Sequence, residues 1–235
     1  MSKLRIGTAG WQLPADVRDR FAEAPSGLAR YATRFACVEI NSTFYRSHRQ
    51  TTYERWVAAT PENFRFAVKA PKTITHERRL VETADLISGF LAETAALGVK
   101  RGPVLIQLPP KLAFDPAAGD FLNTFRDLYD GEAAIEPRHA TWFTEEVDAL
   151  LQAFRIARVA ADPPRAPGDG APGGWTGLAY WRLHGSPRIY YSAYEEAMLQ
   201  DLRRTLDAAP GQAWCIFDNT TSGAASRNGL FLLEA

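Results

Sequence analysis

The residues of this chain that could do chemistry stand at the ends of apolar runs. In VEINSTFYR, residues 38–46, a carboxylate, an amide and a phenol follow one another as Glu39, Asn41 and Tyr45. The same pattern recurs along the chain: an apolar run ends in a residue that ionises or donates a hydrogen bond. These groups are Glu39, Asn41, Lys69, Gln107, Glu136, Arg138, His139, Asp162, Arg182, His184, Asp218 and Asn219.

Carboxylates and imidazoles at such positions predict general acid–base chemistry. Glu136 is the predicted general base, and Glu39 supports it. His139 and His184 are the predicted proton carriers, because an imidazole changes its charge near neutral pH. Two carboxylates also suit glycosidase chemistry, which requires a defined separation that a sequence does not give.

Cations and amides at the same positions predict a small polar substrate that carries a phosphate, a carboxylate or a sugar-like group. Arg138 and Arg182 would each clamp an anionic group with two hydrogen bonds, because a guanidinium matches the geometry of carboxylate and phosphate. Aromatic rings, including Trp11 and Tyr180, would stack on a ring or cover an apolar face. The predicted substrate-binding residues are Asn41, Tyr45, Lys69, Gln107, Arg138, Trp142, Asp162, Arg182, Asp218 and Asn219.

The elements that must position these groups alternate between strand and helix patterns. Helical spacing is clear over Glu82–Leu97, after the capping pair Asp115-Pro116, and after a capping box formed by Ser192 and Glu195. Residues 162–175 (DPPRAPGDGAPGGW) are dense in Pro and Gly and predict a loop in place of a helix. The eight predicted strands are Leu4–Ala9, Cys37–Asn41, Phe64–Ala70, Pro103–Leu108, Ala133–Arg138, Ala157–Asp162, Leu178–Gly185 and Ala213–Asn219.

This alternation predicts an α/β fold with parallel strands and right-handed crossovers. Eight strand–helix units in 235 residues favour a single (β/α)8 TIM barrel, with the helix after strand six missing or degenerate. Active sites of such barrels lie where the carboxyl ends of the strands meet. The polar strand ends should therefore line one pocket of a single domain that spans residues 1–235.

Side-chain alternation along a strand sharpens this prediction, because residues two apart share a strand face. By this parity Cys37 lies on the face of Glu39. Cys215 has the parity opposite to Asp218, so the two thiols should lie in different layers and cannot pair easily. Polar residues that share a face in this way are Glu39 with Asn41, Glu136 with Arg138, and Arg182 with His184.

Composition indicates a soluble globular protein. Apolar residues make up 46% of the chain and charged residues 23%. Lys plus Arg and Asp plus Glu both number 27, so no global basic field marks a nucleic-acid binder. The N-terminal residues lack the apolar core of a signal peptide, and no apolar run reaches the length of a transmembrane helix. The expected location is the cytoplasm, without a membrane partner.

An ordered set of motifs gives the chain a family resemblance. The motifs are IGTAGW (6–11), VEINSTFY (38–45), FAVKAP (66–71), VLIQLP (104–109), IEPRHATW (135–142), YWRLHG (180–185) and the region 217–219. Over nearly its whole length the chain resembles the family known as domain of unknown function 72 (YecE-like). The resemblance implies a TIM barrel and no defined activity. The sequence departs from the usual pattern at the 162–175 loop and at Asp218, where many members have an Asn-Asn pair.

A metal site is an alternative that the sequence allows but does not favour. The chain has four histidines, and His139 and His184 are the two at strand ends. His48 and His76 fall in loops and are predicted to be solvated. No His-x-His or His-Glu-x-x-His motif is present, so ligands would have to come from separate strands. No cofactor is identified.

Several other interpretations stay open. The strand-end charges could form an internal salt-bridge network without chemistry. Lys69 could form a Schiff base if burial lowers its pKa. A phosphodiesterase-like or nucleic-acid-binding barrel would use the basic pocket and its rim, and a non-catalytic barrel would bind a ligand without turnover. The rim cations are Arg46, Arg49, Lys72, Arg78 and Arg79.

Overall fold

A computed structural model describes residues 4–235 of the chain. Strands and helices alternate along it, which confirms the predicted α/β class. The strands are β1 (Leu4–Thr8), β2 (Cys37–Ile40), β3 (Arg65–Lys69), β4 (Arg101–Gln107), β5 (Ala133–Glu136), β6 (Ile156–Arg158), β7 (Ala160–Asp162), β8 (Gly173–Gly174), β9 (Leu178–Leu183) and β10 (Gln212–Phe217). The α-helices are α1 (Gly27–Tyr31), α2 (Gln50–Ala58), α3 (Ala84–Thr94), α4 (Pro116–Leu128), α5 (Glu145–Ala153), α6 (Glu196–Asp207) and α7 (Ala224–Glu234). Shorter helical turns are Ala15–Arg20, Ser42–Phe44, Thr73–Glu77, Ala95–Lys100 and Ala140–Trp142.

The strands form two hydrogen-bonded sheets, in the orders β1-β10-β9-β7 and β2-β3-β4-β5-β6-β8. Their pairing is parallel except between β6 and β8. Each predicted strand is present, and the sixth is divided into β6 and β7 at Val159. Within residues 4–235 the hydrogen bonds define two sheets and no closed barrel, so the complete barrel stays a prediction.

Local sequence explains several helix starts. The Asp115 side chain caps α4 by accepting a backbone N–H at 3.0 Å, and Pro116 occupies the first turn. Thr144 caps α5 in the same way at 3.3 Å. The predicted capping box is wrong, because the Ser192 hydroxyl accepts a backbone N–H four residues earlier in the chain. Glu195 holds the cap position of α6 without a side-chain cap bond.

Buried apolar side chains lie in two clusters on opposite strand faces. The larger cluster joins the strands to the helices and includes Cys215. The smaller cluster covers the other strand face and includes Cys37, Tyr180 and Trp214. The predicted separation of the two thiols is confirmed, since both cysteines are free and buried in different clusters.

The segment 162–175 contains no helix, as predicted, but it is tied to β6. Its residues Gly173 and Gly174 form β8, antiparallel to β6. The Arg158 guanidinium donates to both oxygens of Asp148 at 2.8 and 2.9 Å and to the Gly168 carbonyl at 3.1 Å. A Cβ at position 173 would lie 2.2 Å from this guanidinium, so any larger residue there would displace the Arg158 side chain from its present position.

Candidate functional site

A network of buried charges lies at the carboxyl ends of the strands, centred on Arg182 of β9. Its Nε and Nη2 donate to the two carboxylate oxygens of Glu39 at 3.0 and 2.7 Å. Its Nη1 donates to Glu136 at 2.7 Å, and Nη2 also reaches Asp218 at 3.1 Å. One fully buried guanidinium therefore joins carboxylates from β2, β5 and the end of β10. We call this set, with His184 and Arg138, the charge network.

His184 bridges two of these carboxylates. Its Nε2 lies 2.9 Å from a Glu136 oxygen and its Nδ1 lies 3.0 Å from an Asp218 oxygen. Both ring nitrogens can donate at once only in the imidazolium form. Burial opposes that charge, but Glu136 and the hydrogen bonds from both carboxylates outweigh it and raise the pKa of His184. The network therefore favours a protonated His184.

Glu136 is saturated with hydrogen-bond donors. Besides Arg182 and His184, it accepts from the Gln107 amide and from the Arg138 guanidinium, each at 2.9 Å. Burial alone would raise the pKa of Glu136, but Arg182, His184 and Arg138 hold it well below its usual range. A carboxylate held in this way is a weak proton acceptor near neutral pH.

Asp218 and Glu39 each gain a further contact from a neutral side chain. The Tyr180 hydroxyl donates to Glu39 at 2.9 Å. The Asn41 amide lies 3.4 Å from an Asp218 oxygen. Burial opposes ionisation of Asp218, but Arg182 and His184 lower its pKa below the usual range. These contacts extend the network to Asn41 at the end of β2.

Lys69, at the end of β3, differs from the other cations of the site. Its ammonium makes no hydrogen bond or ion pair within the part of the chain that the structure describes. The nitrogen lies over the Phe44 ring, 4.3 Å from the centroid. Burial and the charge of Arg182 lower the pKa of Lys69 to about 8, although Glu39, Asp218 and Glu136 act in the opposite direction.

The charges of the network balance before Lys69 is counted. Three carboxylates contribute three negative charges, and two guanidinium groups with one imidazolium contribute three positive charges. A protonated Lys69 therefore gives the site one excess positive charge. The members counted are Glu39, Glu136, Asp218, Arg138, Arg182 and His184.

Residues 5–235 match the sequence model of a family described as "Protein of unknown function DUF72". The chain belongs to the DUF72 family. The resemblance carried by its motifs is thereby confirmed. No activity or substrate is attached to that description.

Two curated relatives of this DUF72 chain are likewise described by family and not by activity. The UPF0759 protein YecE of Escherichia coli K12 is 34% identical over 142 residues, which cover 60% of this chain and 50% of YecE. The chain thus matches half the length of that relative. The UPF0759 protein YunF of Bacillus subtilis 168 is 25% identical over an alignment of 266 residues, covering 97% of this chain and 93% of YunF.

Solved DUF72 structures share the fold. A DUF72 family protein from Enterococcus faecalis V583 aligns with a TM-score of 0.82 at 22% identity, covering 98% of this chain and 94% of that chain. One from Thermotoga maritima MSB8 aligns with a TM-score of 0.81 at 24% identity, covering 98% of each chain. At these identities the likeness shows the α/β fold alone.

In this DUF72 protein most of the predicted site residues lie together. The structure places side chains from β2, β3, β4, β5, β9 and β10 in or beside the charge network, which is the convergence that strand parity predicted. Their chemical roles stay predictions. The residues brought together are Glu39, Asn41, Lys69, Gln107, Glu136, Arg138, Arg182, His184 and Asp218.

The side chains of five other predicted site residues make no contact with the network. Tyr45 is 72% exposed. Trp142 is fully buried, and its indole N–H donates to a backbone carbonyl at 2.9 Å. The His139 ring lies 3.0 Å from a threonine hydroxyl two residues later. Asn219 donates to a backbone carbonyl at 2.8 Å and to another asparagine at 3.0 Å. Asp162 is partly buried, with one carboxylate oxygen unpartnered.

The two loop histidines are not fully solvated, so that prediction is wrong. His48 Nε2 lies 2.8 Å from the Ser42 hydroxyl, and the ring packs against Trp56 at 5.3 Å between centroids. His76 Nδ1 lies 2.9 Å from a threonine hydroxyl. Burial, helped by neighbouring cations, lowers the pKa of both rings. Aromatic neighbours three to eight residues along the chain were the available signal for His48.

Sequence reasoning also missed Asp169, which lies fully buried in the 162–175 loop. Its carboxylate accepts a backbone N–H at 2.7 Å, and burial raises its pKa to about 6. No periodic pattern marks this residue, because loop geometry alone buries it.

Two further findings concern groups that sequence reasoning considered. Among residues 4–235, no three His, Cys, Asp or Glu side chains are arranged to hold a metal ion. No helix of that same region has the length and apolarity needed to cross a membrane.

Proposed function

We propose that this DUF72 protein is an enzyme that uses acid–base chemistry on a small polar or anionic substrate at the carboxyl ends of its strands. Lys69 is the observation that carries the proposal. Lys69 as a whole residue is 7% exposed, its amine makes no ion pair among the described residues, and its pKa is lowered to about 8. About a tenth of such amines are unprotonated at pH 7, which suits a general base or a nucleophile.

The roles of the other residues follow from how many hydrogen bonds each side chain already makes. Glu136, chosen as general base from sequence, is bound by four donors, so we assign it to holding Arg182 and His184 in place. Arg138 is the better anion binder, because its Nε is buried without a partner. Gln107 lies beside it and donates to the same carboxylate. Lys69 takes the proton, and these two residues orient the substrate.

The charge balance favours an anionic substrate over a neutral one. With Lys69 protonated, the seven groups counted above carry one excess positive charge. Bringing one negative charge into the site neutralises it and supplies an ion-pair partner for the buried ammonium. A phosphate, a carboxylate or an acidic sugar derivative would meet this requirement.

We also propose that the fold is one closed (β/α)8 barrel domain and that the protein acts in the cytoplasm. A parallel bridge between Ala9 and Glu39 supports closure on one side of the two sheets. On the other side, β6 and β7 are consecutive in the chain with Val159 between them. Two free, buried cysteines support a reducing compartment.

The test begins with a turnover screen of phosphorylated and carboxylated metabolites, followed by Lys69→Met kinetics on any substrate found. Removing a general base should lower kcat/KM by about 10²–10⁴-fold. In the parent protein kcat/KM should rise with pH through a midpoint near 8, the pKa of Lys69. Borohydride trapping of a covalent adduct would identify Lys69 as a nucleophile instead of a base.

Lys100→Met is the matched control for this test. Lys100 is also 7% exposed, but its ammonium donates to the carbonyls of Val57 and Thr60 at 2.8 and 2.7 Å, away from the charge network. Equal losses in the two variants, or full activity of Lys69→Met, would refute the proposal. A ligand that raises the Tm and is never turned over would support the non-catalytic barrel.

A further inference from the structure

A second concave region lies beside the charge network, between the ends of β1 and β2 and helix α2. Its volume is about 550 Å³, within the usual range of roughly 300–1,000 Å³ for small-molecule sites. Asn41 lines it and also contacts Asp218, so the two regions adjoin. We call it the arginine cleft, after the three arginines that line it: Arg18, Arg30 and Arg46.

The charged residues that line the arginine cleft are all cationic. No Asp or Glu lines the cleft, and the three arginines make no ion pair among residues 4–235. Arg30 is fixed by two hydrogen bonds to backbone carbonyls at 3.1 and 3.3 Å, and its Nε is buried without a partner. Arg18 and Arg46 are exposed and free to move toward a ligand. The cleft therefore presents one rigid and two adaptable guanidinium groups to an anion.

Aromatic rings form another wall of the same cleft. Trp11 and Trp56 pack edge to face with centroids 5.1 Å apart, and His48 packs on Trp56. Both indoles are partly exposed, so apolar ring surface faces solvent next to the arginines. A flat ring would cover this surface, and an attached anion would reach the guanidinium groups.

We propose that the arginine cleft binds a ligand made of a flat heteroaromatic ring and a phosphate, with a nucleoside monophosphate as the simplest member of the class. The ring lies against Trp11 or Trp56, and the phosphate is bound by Arg18 and Arg46. This ligand site adjoins the charge network through Asn41 and is separate from the anion partner proposed for Lys69. Binding can be measured without turnover, so the two proposals fail separately.

The test is a calorimetric titration of the full chain with AMP, adenosine and inorganic phosphate, repeated while following tryptophan fluorescence. AMP should bind saturably, quench the indoles, and bind more tightly than either of its parts. Arg18→Gln and Arg46→Gln should each weaken AMP binding about tenfold or more, since a hydrogen bond to a charged group contributes about 1.5–3 kcal/mol.

Arg55→Gln is the matched control. Arg55 precedes Trp56 on α2 but lies outside the cleft, so AMP affinity should not change. An equal loss in Arg55→Gln would overturn the proposal, because non-specific attraction would then explain the binding. Absence of saturable AMP binding, or phosphate binding as tight as AMP, would overturn it as well. An oligonucleotide that binds more tightly than AMP with a steep salt dependence would replace it with a nucleic-acid surface.

Discussion

Replacing Arg182 by methionine should destabilise the protein through one particular carboxylate. The change removes the guanidinium and keeps an apolar stem of similar length. Glu136 would retain His184 and Arg138 as partners. Asp218 would keep His184 as its partner. Glu39 would lose its ion pair with Arg182 and keep only the hydrogen bond from the Tyr180 hydroxyl. The cost of the substitution is therefore set mainly by what happens to Glu39.

The magnitude follows from the fact that Glu39 is fully buried. A buried carboxylate without a cation takes up a proton, and neutralising an ordinary glutamate at pH 7 costs about 3.7 kcal/mol. This value agrees with the loss of about 3–5 kcal/mol in the free energy of unfolding that typically follows removal of one partner of a buried ion pair. We therefore expect Arg182→Met to lower the free energy of unfolding by about 4 kcal/mol, a large share of a typical total of about 5–15 kcal/mol.

Urea denaturation at pH 7 and at pH 5.5 measures this cost. Because the variant must take up a proton on folding, its deficit should shrink at the lower pH. A second change, Glu39→Gln, should restore about half of the loss or more, because the amide removes the charge and keeps an acceptor for Tyr180. Arg20→Met is the control, since Arg20 pairs with Glu234 at the surface and should cost less than about 1 kcal/mol. A deficit below about 1 kcal/mol, or one that Glu39→Gln does not reduce, would refute the reasoning.

Three further predictions concern stability and reactivity. Gly7→Ala should lower the free energy of unfolding, measured by urea denaturation, by about 1–3 kcal/mol, because the new Cβ would clash with the Cys37 carbonyl. Gly89→Ala lies in open space and should raise it by about 0.5–1 kcal/mol by stabilising α3. A larger loss from Gly89→Ala than from Gly7→Ala would contradict this packing. Cys37 and Cys215 are buried with raised thiol pKa values, so a thiol-specific disulfide reagent should label neither before unfolding, and rapid labelling of either would contradict this. The raised pKa of His184 contributes stability that is fully present below about pH 6.5 and is lost as the pH rises through the pKa of the folded state. The loss in free energy of unfolding caused by His184→Gln should therefore become smaller at alkaline pH, and a larger loss there would contradict this.

The strands and the centre of the site could be predicted because few rules decide them. Short apolar runs located the strands, and parallel pairing places their carboxyl ends at one edge of a sheet. Side-chain parity placed Arg182 and His184 on one strand face, and both contact the charge network through Glu39 and Asp218 respectively. Neither step needed knowledge of loop structure.

Residues just beyond a strand end were less predictable, because strand parity stops with the strand. The fifth strand ends at Glu136, and the chain then turns into the short helix that contains Trp142. His139 and Trp142 consequently point away from the network, although they stand within six residues of Glu136. Asn219 likewise turns toward α7 and not toward Asp218. The partners of such residues depend on loop paths that composition does not encode.

The unpartnered groups beside the network support the proposed binding site over a purely structural network. Buried polar groups in a structural network are normally all paired, since each unpaired one costs stability. Here the inner carboxylates are saturated, yet Lys69 Nζ, Arg138 Nε and Asn41 Oδ1 lack partners within the described chain. These three groups belong to residues in or beside the network, and two of them are donors suited to an anion. A ligand would pair them, which supports the proposed binding site, and the turnover assay of Lys69→Met would separate the catalytic from the non-catalytic interpretation.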